Sequence, residues 1–140
     1  MLLDPEQRRR LADARVARLA TVRPDGSPHV VPISFAFGEA TIVTAIDHKP
    51  KTTTSLQRLR NIEAVPVASV IIDHYEDDWS RLWWLRADGE ARIVPDGKEW
   101  EDGIEQLTRK YHQYRRDAPQ GPVIVITVAK WTSWSAEQGT

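Results

Sequence analysis

The chain has no cysteine, one methionine and two phenylalanines. Without cysteine there are no disulfides and no thiolate metal sites, so any metal would have to be held by histidines and carboxylates. Long apolar runs are also missing: none approaches the roughly 20 residues of a membrane-spanning helix. The opening "MLLDPEQRRRL" lacks the apolar segment of a secretory signal, so the sequence predicts a cytoplasmic protein that neither enters nor crosses a membrane. No charge of one sign prevails, with 19 Lys+Arg against 20 Asp+Glu and a net charge of -1. General nucleic-acid binding needs a clustered basic face, and this balance excludes it, so any anion site must be local. Among the residues present, six tryptophans in 140 stand out, because tryptophan gathers in pockets and interfaces as well as cores.

Asp4 as N-cap and Pro5 at the first helical position start a helix over about 4–14, with Leu3 ahead as a staple. A strand is expected over Arg15–Val22, and the Pro-Asp-Gly turn in "RPDGS" leads into a second over His29–Phe37. A third, Ala40–Ile46, completes a meander. Leu56, Leu59 and Ile62 recur at helical spacing from about Ser55 to Ala64, where Pro66 blocks continuation. Val67–Tyr75 and Arg81–Val94 read as strands, the longer one with a turn or bulge at Asp88-Gly89. Asp96 and Glu99 suggest a capping box for a helix over 97–115 with the stripe Trp100, Ile104, Leu107 and Tyr111, expected to cover one barrel opening. "GPVIVITV" and "KWTSWS" read as closing strands separated at Ala129. The resulting class is mainly β (α+β), one domain over 1–140 with an antiparallel barrel of about six strands over 15–135 and flanking helices.

The chemistry concentrates in "AIDHKPKTTTSLQRLRNI", Ala45 to Ile62. A strand end followed by a helix N-terminus offers free N–H groups and the positive end of the helix dipole. Lys49 and Lys51 add charge, Thr52 to Ser55 add hydroxyls, and Arg58 and Arg60 lie about a turn inside. Converging donors of this kind suit a phosphate, although a solvated loop with a hydroxyl N-cap has the same local pattern. No Walker-type loop is present. His29, His48, Asp73, His74, Asp77 and Asp78 match no metal-ligand spacing, so no metal is expected. No nucleophile motif is present, and no catalytic residue is identified. Trp83 and Trp84, adjacent on a strand, face opposite sides, so one enters the core and the other meets a partner or ligand.

Three stretches together, "RVARLATVRPDGSPHVVPISFAF", "TAIDHKPKTTTSLQRLRNI" and "DHYEDDWSRLWWLRADGEARIV", resemble the pyridoxamine 5'-phosphate oxidase-like split β-barrel superfamily. Within it the chain is most similar to the F420-dependent oxidoreductases of the PPOX class, over about Ala14 to Ser135. The resemblance implies an FMN-binding split-barrel fold in a homodimer, with the cofactor between subunits. It implies that Lys49, Lys51 and Thr52, with Arg58 and Asn61, hold or order the cofactor's phosphate. Val31, Pro32, Ile33 and Ser34, with Thr44, Ala45 and Ile46, would border the tricyclic ring, and Trp79, Arg81 and Trp83 would come from the neighbouring subunit. The implied activity is hydride transfer between the deazaflavin F420 and a small-molecule substrate. The alternatives are an FMN-binding oxidoreductase of the same fold and a non-catalytic carrier of a cofactor or tetrapyrrole. Arg8, Arg9, Arg10, Arg15 and Arg18 are the basic residues available to F420's acidic tail.

Overall fold

The computed structural model describes residues 3–38, 40–46 and 53–138. In chain order the elements are α1 (Pro5–Asp13), β1 (Ala17–Val22), β2 (Pro28–Ile33), β3 (Ala36–Phe37), β4 (Thr41–Ala45), α2 (Thr53–Ala64), β5 (Val67–His74), β6 (Trp83–Val94), α3 (Lys98–Lys110), α4 (His112–Arg116) and β7 (Val123–Ser135). A short 3₁₀ turn precedes β6 at Trp79–Arg81, and another follows β7. The strands form one antiparallel sheet of seven in the order β2-β1-β5-β6-β7-β4-β3, a curled split-barrel sheet with flanking helices.

The α1 start is as expected: Asp4 accepts from the Gln7 amide at 2.8 Å, and the Gln7 side chain accepts from the Asp4 amide at 2.9 Å. The β1–β2 hairpin turns on Gly26, whose φ of 91° is reached without strain only by glycine. Asp25 supports the turn by accepting from both the amide and the hydroxyl of Ser27.

Four local expectations change. The segment 29–37 is not one strand. It breaks at Ser34–Phe35, and its halves lie at opposite edges of the sheet, so β2 pairs with β1 and β3 with β4 instead of forming a simple meander. Ala129 does not separate two strands. It is the extra residue of a bulge, since Asp88 pairs with Lys130 but Gly89 with Val128. A Cβ on Gly89 would lie 2.0 Å from the Thr127 carbonyl oxygen, so the strands approach there only because the position is glycine. The third helix is capped by Gly97 without a side-chain bond, not by Asp96, and it ends at Lys110 before a separate short α4.

The fourth change concerns what α3 covers. Along β4 and β7 both faces are buried: Ile42, Ile124 and Ile126 enter the interior, while Val43, Val123 and Val125 turn outward. The α3 stripe of Trp100, Ile104, Leu107 and Tyr111 packs on the outward valines, so α3 lies outside the sheet instead of over a barrel opening. The interior is completed by Leu11 of α1 and by Leu59 and Ile62 of α2. Fully burying a leucine such as Leu11 stabilises the fold by about 1.5–3 kcal/mol. No helix among the described residues is long and apolar enough to cross a membrane.

Candidate functional site

Between Ile33 and Ala36 the chain passes from one outer strand of the sheet to the other. Three Cα steps span at most about 11 Å, so the two edges must come together at this crossing. Phe35 is fully buried at the crossing, its amide donating to the Tyr111 hydroxyl at 3.0 Å. That hydroxyl donates in turn to the Arg15 carbonyl at 3.0 Å, so Tyr111 pins the crossing to the start of β1. Among the described residues no strand pairs with the far side of β2, leaving a row of backbone donors and acceptors at an open edge.

The seven residues expected to border a ring lie on or just after β2 and β4, and they present themselves unequally. Val31, Ile33 and Ile46 point into the core, and Thr44 and Ala45 are buried. Only Pro32 is exposed and Ser34 half-buried. The cause is the two-residue period of β2, which sends Val31 and Ile33 inward and Val30 and Pro32 outward. A planar ligand would therefore meet the backbone of the β2 edge, Pro32 and Ser34, not a wall of branched side chains. Pro32 on an edge strand fits its missing N–H.

At the other end of β2 a histidine sits in the field of two arginines. The charges of Arg23, from the hairpin, and Arg58, from α2, act on His29. Burial first, then those two charges, hold the His29 imidazole below its ordinary pKa. His29 Nδ1 is buried with no hydrogen-bond partner among the described residues. Arg23 is aimed by its own turn, donating to the Pro28 carbonyl at 2.6 Å and the Ser27 hydroxyl at 3.3 Å. Arg58 was expected at an anion site; Arg23 and His29 are additions. No local pattern announces them, because the cluster joins residues about thirty positions apart.

Asn61 is fully buried and its amide is engaged. It donates to the Thr21 hydroxyl at 3.0 Å and accepts from Gln57 at 2.7 Å. Asn61 thus fixes the angle of α2 against β1 and so positions Arg58. Lys49, Lys51 and Thr52 lie outside the described residues, directly before the first residue of α2.

The aromatic loop divides. Trp79 is 68% exposed, its indole donating to the Tyr75 hydroxyl at 3.3 Å. Arg81 is exposed and donates to Glu76 at 3.2 Å. Glu76 also binds His74, and that bond, followed by Arg81, keeps its carboxyl below the usual range. Trp83 already has neighbours in its own chain: it stacks on His74 at 6.2 Å and lies under Arg10 at 4.8 Å. Trp84 is the outward member of the pair, beneath Arg86 and opposite Trp134. With Val30, Val67 and Ile71 it gives the outer face of the sheet an apolar surface.

The basic residues of the first strand and helix are all engaged. Arg9 and Arg10 pair with Glu6, Arg18 with Asp73, Arg8 lies over Phe37, and Arg15 lies over Tyr111. No group of three or more His, Asp or Glu suited to a metal occurs among the described residues.

A family model described as pyridoxamine 5'-phosphate oxidase matches residues 3–135. Among solved structures, a conserved hypothetical protein from Mycobacterium tuberculosis aligns with a TM-score of 0.78 at 18% identity, over 99% of this chain and 88% of that one. HutZ, the haem storage protein from Vibrio cholerae, aligns with a TM-score of 0.72 at 21% identity, over 96% of this chain and 95% of that one. An FAD-binding protein from Mesorhizobium loti aligns with a TM-score of 0.68 at 19% identity, over 94% of both chains. At these identities the likeness is one of fold. No curated protein matches the chain.

Proposed function

Since this chain belongs to the pyridoxamine 5'-phosphate oxidase family, we propose that it is an oxidoreductase holding the deazaflavin F420 along the open β2 edge, as a homodimer. The observation that carries this reading is a β2 edge unpaired among the described residues, with the charges of Arg23 in the hairpin and Arg58 on α2 acting on His29 at the start of that strand. The orphaned His29 Nδ1 fits a phosphate oxygen, and the edge backbone fits the heteroatoms of a planar ring.

When bound, the deazaflavin supplies a hydride to an electron-poor small organic substrate. The chain's own residues do the holding and shielding. Arg23 and Arg58 place the anionic arm, and Asn61 keeps α2 at the angle that aims Arg58. Phe35, fixed by Tyr111, seals the crossing against water. Val30, Val67, Trp84 and the exposed Trp79 offer the apolar surface that a second subunit would cover, bringing Trp79 and Arg81 to the partner's groove.

A second reading, FMN in the same groove, is favoured by one observation. The arginines available to F420's acidic tail are all engaged within the chain, and the phosphate end suits either cofactor. The test is anaerobic mixing of the protein with reduced F420 and a quinone acceptor, following deazaflavin absorbance. Protein-dependent oxidation supports the reductase. Binding without turnover across a panel of acceptors points instead to a carrier.

A further inference from the structure

Away from the β2 edge, a cleft lies between α1, β3 and α3. One hollow of about 510 Å³ is lined by Arg8, Phe37, Gln106 and Arg109 among others. A second, of about 300 Å³, shares Phe37, Gln106 and Arg109 and adds Ala12, Ala36 and Lys110.

Lys110, the last residue of α3, has an unusual setting. Its ammonium donates to the Leu11 carbonyl at 3.2 Å and otherwise stands on the Phe35 ring, 3.7 Å from the centroid, with the Tyr111 ring at 5.5 Å. Burial, reinforced by Arg15 and opposed by Asp13, brings its pKa down to about 8. A lysine so poorly solvated holds its proton loosely and keeps a usable lone pair, the condition for imine chemistry. Lys98 and Lys130 are exposed, and Lys98 is held in its charged form by Asp102. Gln106 lines both hollows, and its amide oxygen is buried with no hydrogen-bond partner among the described residues. Buried acceptors are normally paired, so this one suits a donor that arrives with a ligand.

We propose that Lys110 is a Schiff-base-forming amine and that this cleft admits small neutral aldehydes or ketones with an apolar tail. The Nζ lone pair adds to the carbonyl carbon, and proton transfer from nitrogen to oxygen gives a carbinolamine whose hydroxyl donates to Gln106 Oε1. Loss of that hydroxyl with the remaining nitrogen proton, as water, leaves the C=N bond. No oxidant or reductant is involved. Ala12, Ala36 and Phe37 receive the tail.

The test uses the full chain at pH 7 with propanal and cyanoborohydride, which traps the imine as a propylamine located by peptide mass spectrometry. At that pH an amine with a pKa near 8 is ~10% free base, against ~0.03% for an ordinary lysine. Propylation of Lys110 at least about tenfold faster than of Lys98 and Lys130 is the expected result. Equal rates at the three lysines overturn the proposal. Ala12→Phe, at an exposed position of α1, narrows the cleft and should cut the Lys110 rate severalfold while the circular dichroism spectrum is unchanged. An undiminished Lys110 rate in that folded variant also overturns it.

Discussion

Asn61 and Thr21, forty residues apart and both buried, meet in a 3.0 Å hydrogen bond that ties α2 to the end of β1. Asn61→Ala leaves the Thr21 hydroxyl and the Gln57 amide without their partner in a dry place. Leaving such groups unpaired costs about 1–3 kcal/mol. A urea denaturation midpoint shifted by that amount is the expected outcome, together with weaker cofactor binding, because Arg58 loses its fixed position.

Gly89 sits where the bulge brings β6 against β7. Gly89→Ala forces a methyl into the Thr127 carbonyl, which is backbone and cannot swing away. Overpacking of this kind costs about 3 kcal/mol or more. Equilibrium denaturation should show that loss, whereas Gly26→Ala, with open space around it, costs only backbone strain.

Much of this fold is legible in the sequence, and the failures share a cause. The helix start at Asp4-Pro5, the Asp25-Gly26 turn and the α3 stripe depend on neighbours in the chain, and local pattern reports them. The break at Ser34–Phe35 does not, because "HVVPISFAF" keeps the same residue types while its partner strand changes. Ala129 reads as a gap because alanine favours strands poorly, yet the ladder continues past it. At the site, the sequence points to Arg58 and to the approach to α2. Arg23 and His29 join that cluster only through the hairpin and the packing of α2. The residues expected to border a ring lie on or just after β2 and β4, where strand period and burial hide most of their side chains.

Lys110 should leave a signature in the pH dependence of stability. Its folded pKa of about 8 lies below the ordinary lysine value of 10.5, so between those values the unfolded chain binds more protons. Stability from this group therefore rises as pH increases from about 8 to 10.5 and is flat below that window. Lys110→Met removes the rise and is more stable than the parent at pH 7. Denaturation of both proteins at pH 7.5 and 9.5 isolates the effect, since Tyr111 and other groups cancel in the difference.

His29 should titrate below the ordinary histidine range in the free protein, because burial and two arginines oppose its charge. Stability from the neutral imidazole is present above the unfolded pKa and falls as pH drops through the window below it. A bound phosphate reverses the local charge and should raise the His29 pKa. Imidazole NMR titration, with and without cofactor, reads both effects. An unmoved His29 on saturation would place the phosphate elsewhere.

The most direct measurement is a fluorescence titration of the purified protein with F420 and, separately, FMN, repeated in Arg23→Ala and Arg58→Ala. Saturable F420 binding is expected, weakened in each variant by the about 1.5–3 kcal/mol of a charged hydrogen bond, roughly tenfold or more in Kd. FMN binding tighter than F420, with the same loss in both variants, would keep the site and change the cofactor. Binding of neither cofactor, or affinities indifferent to both arginines, would contradict the account.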